Sequence, residues 1–266
     1  MTPRLVAFDL DGTLVGKNLG IRPRVERSIR AMREQGVLGC IVTGRMYRSA
    51  QPFARDLGFG TPVVCYQGAA IIDPSSGNFV FDTPLANTEA LEVVAYSKAC
   101  GLHVQLYADD RYFCEATNRF SDLYAHVSGV APIVVASLEQ EFATRDATKA
   151  VIIAEPEVAA AHLPLLAAQL GSRAYVTRSL PAFIEVTNPQ VDKGRALRLV
   201  AGRLNIAMGD VMAIGDSWND APLLRAAAFG VAMGSAPPEL KEIADALVND
   251  VEHDGVADAI ERFVIA

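Results

Sequence analysis

Two carboxylates two residues apart, Asp9 and Asp11, close the apolar run Leu5-Val6-Ala7-Phe8 and are followed at once by Gly12-Thr13. A strand buried on both faces reads as a continuous apolar run, and ligands of open α/β sheets collect beyond the carboxyl ends of the strands. Side chains two apart on an extended strand share a face. Here the Gly-Thr turn begins immediately, so Asp9 and Asp11 can flank one reacting atom, as a nucleophile beside an acid. An isolated Asp-x-Asp-Gly also suits a solvated turn or a calcium loop, and other segments must decide between these uses.

Three further segments bear on that choice. Leu38-Gly39-Cys40-Ile41-Val42 runs into Thr43-Gly44-Arg45, an expected strand ending on a hydroxyl and a glycine, with a helix from about Met46. Thr43 suits either an N-cap or, beside the backbone N–H groups of a helix start, an anion site. Asp192-Lys193-Gly194-Arg195 opens an expected helix carried through Leu197, Leu199, Val200 and Leu204. A lysine in the first turn opposes the helix dipole, so a nearby phosphate accounts for Lys193 better than stability does. Finally, Val211-Met212-Ala213-Ile214 delivers a second acidic cluster, Gly215-Asp216-Ser217-Trp218-Asn219-Asp220.

Each segment lies at the carboxyl end of an expected strand, or at the start of an expected helix, in a chain that alternates the two. A doubly wound parallel sheet brings such positions to one edge. Gathered there, they supply three or four carboxylates for a hard cation, one lysine, and hydroxyl, amide and backbone donors. That inventory fits Mg²⁺-assisted phosphoryl transfer.

In this order, from Arg4 to about Val256, the motifs Asp9-Leu10-Asp11-Gly12-Thr13, Thr43-Gly44-Arg45, Lys193-Gly194 and Gly215-Asp216-x-x-Asn219-Asp220 resemble the haloacid dehalogenase superfamily. The resemblance is to its Cof-like phosphatases, type IIB with a C2 cap. It implies an α/β fold, a Rossmann-like doubly wound parallel sheet core with an inserted α/β cap domain. It also implies a Mg-dependent phosphatase that hydrolyses small phosphomonoesters, sugar phosphates or related metabolites, through an aspartyl phosphate. By the same resemblance Asp9 is the nucleophile and Asp11 the general acid and base, while Thr43, the Gly44 N–H, Lys193 and Asn219 hold the phosphoryl oxygens. Mg²⁺ would rest on the Asp9 carboxylate, the Asp11 backbone carbonyl and the Asp216 carboxylate, with Asp220 contacting its waters or orienting Lys193. Two positions depart from the family's pattern. Gln67-Gly68-Ala69 stands where Asn-Gly-Ala is common, and Trp218 where a small or acidic residue is usual; it either stacks on a substrate ring or anchors its loop. Both departures bear on substrate preference.

Spacing places the insertion. Only 31 residues separate Asp11 from Thr43, most of them used by a helix patterned on Ile21, Val25, Ile29 and Met32, whereas 149 separate Thr43 from Lys193. The expected core is therefore residues 1–83 and 188–266 and the expected cap residues 84–187, with hinges near Asp82 to Pro84 and Asn188 to Pro189. Within the cap, segments 103–107 and 112–114 read as a hairpin turning at Asp109-Asp110-Arg111. Further strands are expected at 132–136, 150–154, 174–177 and 183–187, and helices at about 89–99 and 158–170.

Composition narrows the partners. A formal net charge of −7 disfavours nucleic acid, and the arginines between Arg22 and Arg33 read as the wet face of the first helix. No apolar stretch approaches the roughly 20 residues of a membrane helix, and Met1-Thr2-Pro3 leads into the first strand without a signal-peptide pattern, so a cytoplasmic location and a small-molecule substrate are expected. Cys40, Cys65, Cys100 and Cys114 are scattered without metal spacing, and no disulfide is expected. The histidines are dispersed and none is expected in catalysis. Because the substrate that the resemblance implies is an anion, local cations, Mg²⁺ and Lys193, are expected to outweigh the global charge.

Three competing functions fit less well. Gly215-Asp216-Ser217 with Asp250 and His253 follows a serine-esterase order, but only 35 residues separate Ser217 from His253. A non-catalytic phosphate or metabolite sensor has no need of a general acid such as Asp11. A phosphomutase of the same fold would move a phosphoryl group between two sugar positions instead of releasing phosphate.

Overall fold

The computed structural model describes residues 3–265. The chain runs through β1 (Leu5–Phe8), α1 (Pro23–Glu34), β2 (Leu38–Ile41), α2 (Tyr47–Asp56), β3 (Val63–Cys65), β4 (Ala70–Ile72) and β5 (Phe79–Asp82). It continues through α3 (Asn87–Cys100), β6 (His103–Ala108), β7 (Arg111–Cys114), α4 (Arg119–Ser128), β8 (Ile133–Val134) and α5 (Leu138–Glu141), then β9 (Lys149–Ile153), α6 (Pro156–Leu170), β10 (Tyr175–Arg178) and β11 (Phe183–Thr187). The last stretch is α7 (Lys193–Arg203), β12 (Val211–Gly215), α8 (Ala221–Ala226), β13 (Phe229–Ala232), α9 (Pro238–Ile243), β14 (Ala246–Leu247) and α10 (Gly255–Phe263).

These elements form two units, one holding the chain up to Gly44, Ala50–Val80 and everything from Asp192 onward, the other Arg45–Ser49 and Phe81–Val191. In the first unit a parallel sheet has the order β14-β13-β12-β1-β2. β1 lies between β12 and β2, pairing Phe8 with Ile214 on one side and Ile41 on the other. Its four side chains are fully buried, which explains their unbroken apolar character, and each large one contributes roughly 1.5–3 kcal/mol. A bridge between Val42 and Val64 leads from the end of β2 to a small sheet of β3, β4 and β5.

Arg27, Arg30 and Arg33 are exposed as the sequence leads one to expect, whereas Arg22 and Arg24 at the start of α1 are also engaged in ion pairs. Arg22 pairs with Asp254 at 2.7 Å, and Arg24 with Asp258 and Glu261 at 2.9 and 2.6 Å, while Ser28 donates to Glu261. Part of the expected wet face is thus a polar seam with α10. Residue spacing within α1 cannot announce it, because the partners lie on the last helix.

The second unit is built on a six-stranded sheet ordered β10-β11-β9-β6-β7-β8. Alternation divides its faces. Val104, Leu106, Ala150, Ile152, Ile184 and Val186 pack in one core with Val93 of α3 and Leu166 of α6. The residues between them include Gln105, Tyr107, Lys149, Glu185 and Thr187, also buried. The β6–β7 hairpin turns on Asp109 and Asp110, both with positive φ, the twist-matched geometry of two-residue hairpins. Of the expected strand 132–136 only Ile133–Val134 forms. The reading also missed α4, whose Asn118 and Ser121 make a reciprocal cap. Among the described residues no helix is long and apolar enough to cross a membrane.

Candidate active site

Four backbone segments of the first unit converge, three of them because the strands that deliver them, β12, β1 and β2, are neighbours, and the fourth at the start of α7. Asp9 follows β1, its N–H donating to the Ile214 carbonyl of β12 at 3.0 Å. Asp216 follows β12. Thr43 follows β2, its N–H bound to the Val64 carbonyl at 2.9 Å and its own carbonyl accepting from the Gln67 N–H at 3.1 Å. Lys193 is the first residue of α7, behind Asp192, whose carboxylate caps the helix by accepting from the Arg195 N–H at 2.7 Å.

Side chains then close the cluster. Lys193 Nζ lies 2.5 Å from Asp9 Oδ1 and 2.6 Å from Asp220 Oδ1. The other oxygen of Asp220 accepts from the N–H groups of Asp216 and Ser217 at 2.9 and 3.0 Å. Thr13 Oγ1 donates to Asp216 Oδ1 at 3.1 Å, and Asn219 Nδ2 to Gln67 Oε1 at 2.9 Å. Gly12, with φ at +84°, passes so close to the Asp216 carboxylate that any Cβ there would collide with it. Glycine is the residue that meets both the conformation and the clearance.

One ammonium faces three carboxylates, Asp9, Asp216 and Asp220, whose oxygens lie within 4.8 Å of one another. Burial, with repulsion from Asp220, pushes Asp9 from 3.8 up to about 7 against the pull of Lys193. Burial and the charges of Asp9 and Asp220 likewise drive Asp216 well above the carboxylate range. Burial favours neutral Lys193, but Asp220 and Asp9 outweigh it and hold the amine above its ordinary value. An excess of buried negative charge on hard oxygen donors fits a divalent cation. Asp220 has its oxygens engaged by Lys193 and two backbone N–H groups, which suits it to anchoring the lysine.

The structure brings together Asp9, Asp216, Asp220 and Lys193 at one point and joins Asn219 to it through the turn that carries Asp220. The Asp11 carboxylate is not in the three-carboxylate group; it is partly exposed at the start of the turn bridged to Val15. Thr43 is not an N-cap, because α2 begins four residues later at Tyr47. Ser217 caps the short turn Trp218–Asp220, while Asp250 pairs with His253 on an exposed turn. Sequence reasoning assigned no role to Thr13 or to the Ser217–Asp220 capping box. The Ser-x-x-Asp spacing was the available signal for the latter.

The family model described as haloacid dehalogenase-like hydrolase matches residues 6–260. The chain is 28% identical to a pyridoxal phosphate phosphatase of Escherichia coli over the full length of both. It is 27% identical to the 5-amino-6-(5-phospho-D-ribitylamino)uracil phosphatase of Bacillus subtilis, over 98% of this chain and 97% of that one. Among solved structures, a haloacid dehalogenase-like hydrolase from Bacteroides thetaiotaomicron superposes with a TM-score of 0.85 at 26% identity, covering 98% of this chain and 99% of the other.

Proposed function

The chain belongs to the haloacid dehalogenase-like hydrolases, in their Cof-like branch, and from that premise we propose that it is a phosphatase acting on small phosphomonoesters with the help of Mg²⁺. The observation that carries this reading is the buried meeting of Lys193 with the surplus of carboxylates from Asp9, Asp216 and Asp220. Relatives whose names specify pyridoxal phosphate and a ribitylaminouracil phosphate support the substrate class.

In this reading ionised Asp9 attacks phosphorus in line with the ester oxygen. The P–O bond to the leaving group breaks, its electron pair goes to that oxygen, and Asp11 protonates it. Asp11, now a carboxylate, takes a proton from water as that water attacks the aspartyl phosphate. The bond from phosphorus to Asp9 breaks, which restores the Asp9 carboxylate and releases inorganic phosphate. Lys193, the Thr43 hydroxyl, the Gly44 N–H and Asn219 hold the phosphoryl oxygens, where transition-state charge is spread. When bound, Mg²⁺ supplies positive charge that keeps Asp9 ionised and offsets the phosphoryl charge; Asp9, the Asp11 backbone carbonyl and Asp216 would hold it. Asp220 orients Lys193. Selection of the rest of the substrate is assigned to the insert 84–187.

Phosphate release from a panel of sugar, nucleotide, pyridoxal and flavin phosphates tests the reading. Hydrolysis of at least one ester with Mg²⁺, stopped by excess chelator, is expected. Transfer between two positions of a sugar bisphosphate without phosphate release would make the protein a mutase, and tight binding of esters without turnover would make it a sensor.

A further inference from the structure

The turn after β3 holds three successive residues at positive φ: Tyr66 at 53°, Gln67 at 62° and Gly68 at 104°. Side-chain-bearing residues avoid this region, and two in a row persist only where the surroundings impose them. Those surroundings are visible. The Gln67 N–H is tied to the Thr43 carbonyl, and Gly68 faces the Asp192 carbonyl, which a Cβ would meet at 2.6 Å. The turn is wedged between the end of β2 and the start of α7, and what it holds in place is the Gln67 side chain, 1% exposed.

That side chain spans two of the segments proposed to bind the phosphoryl group. Its Oε1 accepts from Asn219 Nδ2 at 2.9 Å, and its carboxamide lies against Gly44, where any Cβ would collide with it. Gln67 Nε2 and Asn219 Oδ1 are both buried without a hydrogen-bond partner. Exchanging oxygen and nitrogen in both amides preserves the single bond between them but moves the unfilled donor from Gln67 to Asn219, so either assignment leaves one buried donor for an anion and the one in this structure puts it on Gln67, beside Gly44. Two apolar side chains of the same shape would avoid it altogether. A buried donor left unfilled beside Gly44 and Asn219 is accounted for by a ligand that completes it.

We propose that the Gln67 carboxamide is an oxyanion donor that gives its unfilled N–H to an oxygen of the phosphoryl group, or of inorganic phosphate, held between Thr43-Gly44 and Asn219. The proposal rests on the phosphatase reading for the identity of the anion. Rotation about the last side-chain torsion, which is soft in glutamine, turns the N–H toward an arriving oxygen while the strained turn keeps the stem in place.

The test is titration of inorganic phosphate into the full chain with Mg²⁺, followed by calorimetry and by fluorescence of Trp218, the single tryptophan and the neighbour of Asn219. Gln67→Met, and Gln67→Leu should the first variant fail to fold, remove the donor and keep an apolar filler. The Kd for phosphate is expected to rise about tenfold to a hundredfold, the range of a lost hydrogen bond to a charged group, and the loss is expected to persist in an Asn219→Ala background. Unchanged affinity overturns the proposal. So does a loss that disappears without Asn219, because Gln67 would then act only by positioning that residue. If the wild-type protein binds phosphate with the Gln67 dependence but hydrolyses no phosphomonoester, the phosphatase reading fails and the donor stands; hydrolysis with a Gln67-independent phosphate Kd has the opposite meaning.

Discussion

Lys149 in the second unit and Lys193 in the first are equally buried, each 1% exposed, and differ in their company. Lys149 Nζ lies 2.6 Å from Glu185 Oε2 and 4.8 Å from the centre of the Tyr107 ring, and Ser179 donates to the other Glu185 oxygen at 2.8 Å. Within that pair one charge meets one of opposite sign. Lys193 faces Asp9 and Asp220, with Asp216 in the same cluster, and is outnumbered. A balanced buried pair can be a fixture of the fold, whereas a buried surplus of one sign is costly until a further charge arrives. The upward shifts of Asp9 and Asp216 register that surplus.

The largest expected effect separates the two lysine environments by chemistry. Asp9→Asn should lower kcat by more than about 10⁴-fold, in line with removal of a nucleophile, and should abolish labelling by beryllofluoride. Asp11→Asn should still be labelled while its turnover collapses. Equal labelling of both variants would reverse the division of roles between the two aspartates.

The next effect concerns stability, read by denaturant unfolding. Lys149→Met alone leaves Glu185 buried and unpaired and should cost about 3–5 kcal/mol, while adding Glu185→Met should recover most of the loss. A single variant as stable as the parent would show that the pair is not the fixture described.

The smallest effect tests the surplus itself. In the metal-free fold Asp9 is raised from 3.8 to about 7, chiefly by burial and then by Asp220. A carboxyl that binds its proton more tightly folded than unfolded contributes stability below its unfolded value and loses it as pH climbs from about 4 to about 7. Once other titrations, such as the opposing one of His103, which burial lowers from 6.5 to about 4, are subtracted with an Asp9→Asn control, melting in chelator should occur at a lower temperature near pH 7.5 than near pH 5. Mg²⁺ at about a hundred times its Kd should restore about 2.7 kcal/mol at the higher pH, and Asp216→Asn should remove most of that gain. Equal stabilisation of the variant by Mg²⁺ would place the cation elsewhere.

Legibility in the sequence followed locality. Leu5–Phe8 and Val211–Gly215 read as buried strands because every residue in them is apolar or glycine, and the acidic residues mark where each strand ends. The β6–β7 hairpin was legible from its two aspartates between apolar segments. By contrast, α4 was missed although Asn118 and Ser121 have capping spacing, because its burial rests on aromatic contacts such as Tyr124 with Tyr107 and Tyr112. The seam of Arg22 and Arg24 with α10 was missed for a similar reason: the charges that neutralise it are more than two hundred residues away.

By itself the sequence determined the kinds of groups available and the strand ends and helix start that carry them: Asp9 and Asp11, Thr43 and Gly44, Lys193, and the run from Asp216 to Asp220. Only the tertiary structure decided that Lys193 is buried against two carboxylates, that Asp220 spends its oxygens on the lysine and on two backbone N–H groups, and that Gln67 reaches Asn219 with a donor left over. The physical reason is that residue type and helix or strand pattern are local properties, whereas charge balance and hydrogen-bond satisfaction are sums over everything that meets at a point. The Lys193–Asp9 contact joins residues 184 positions apart.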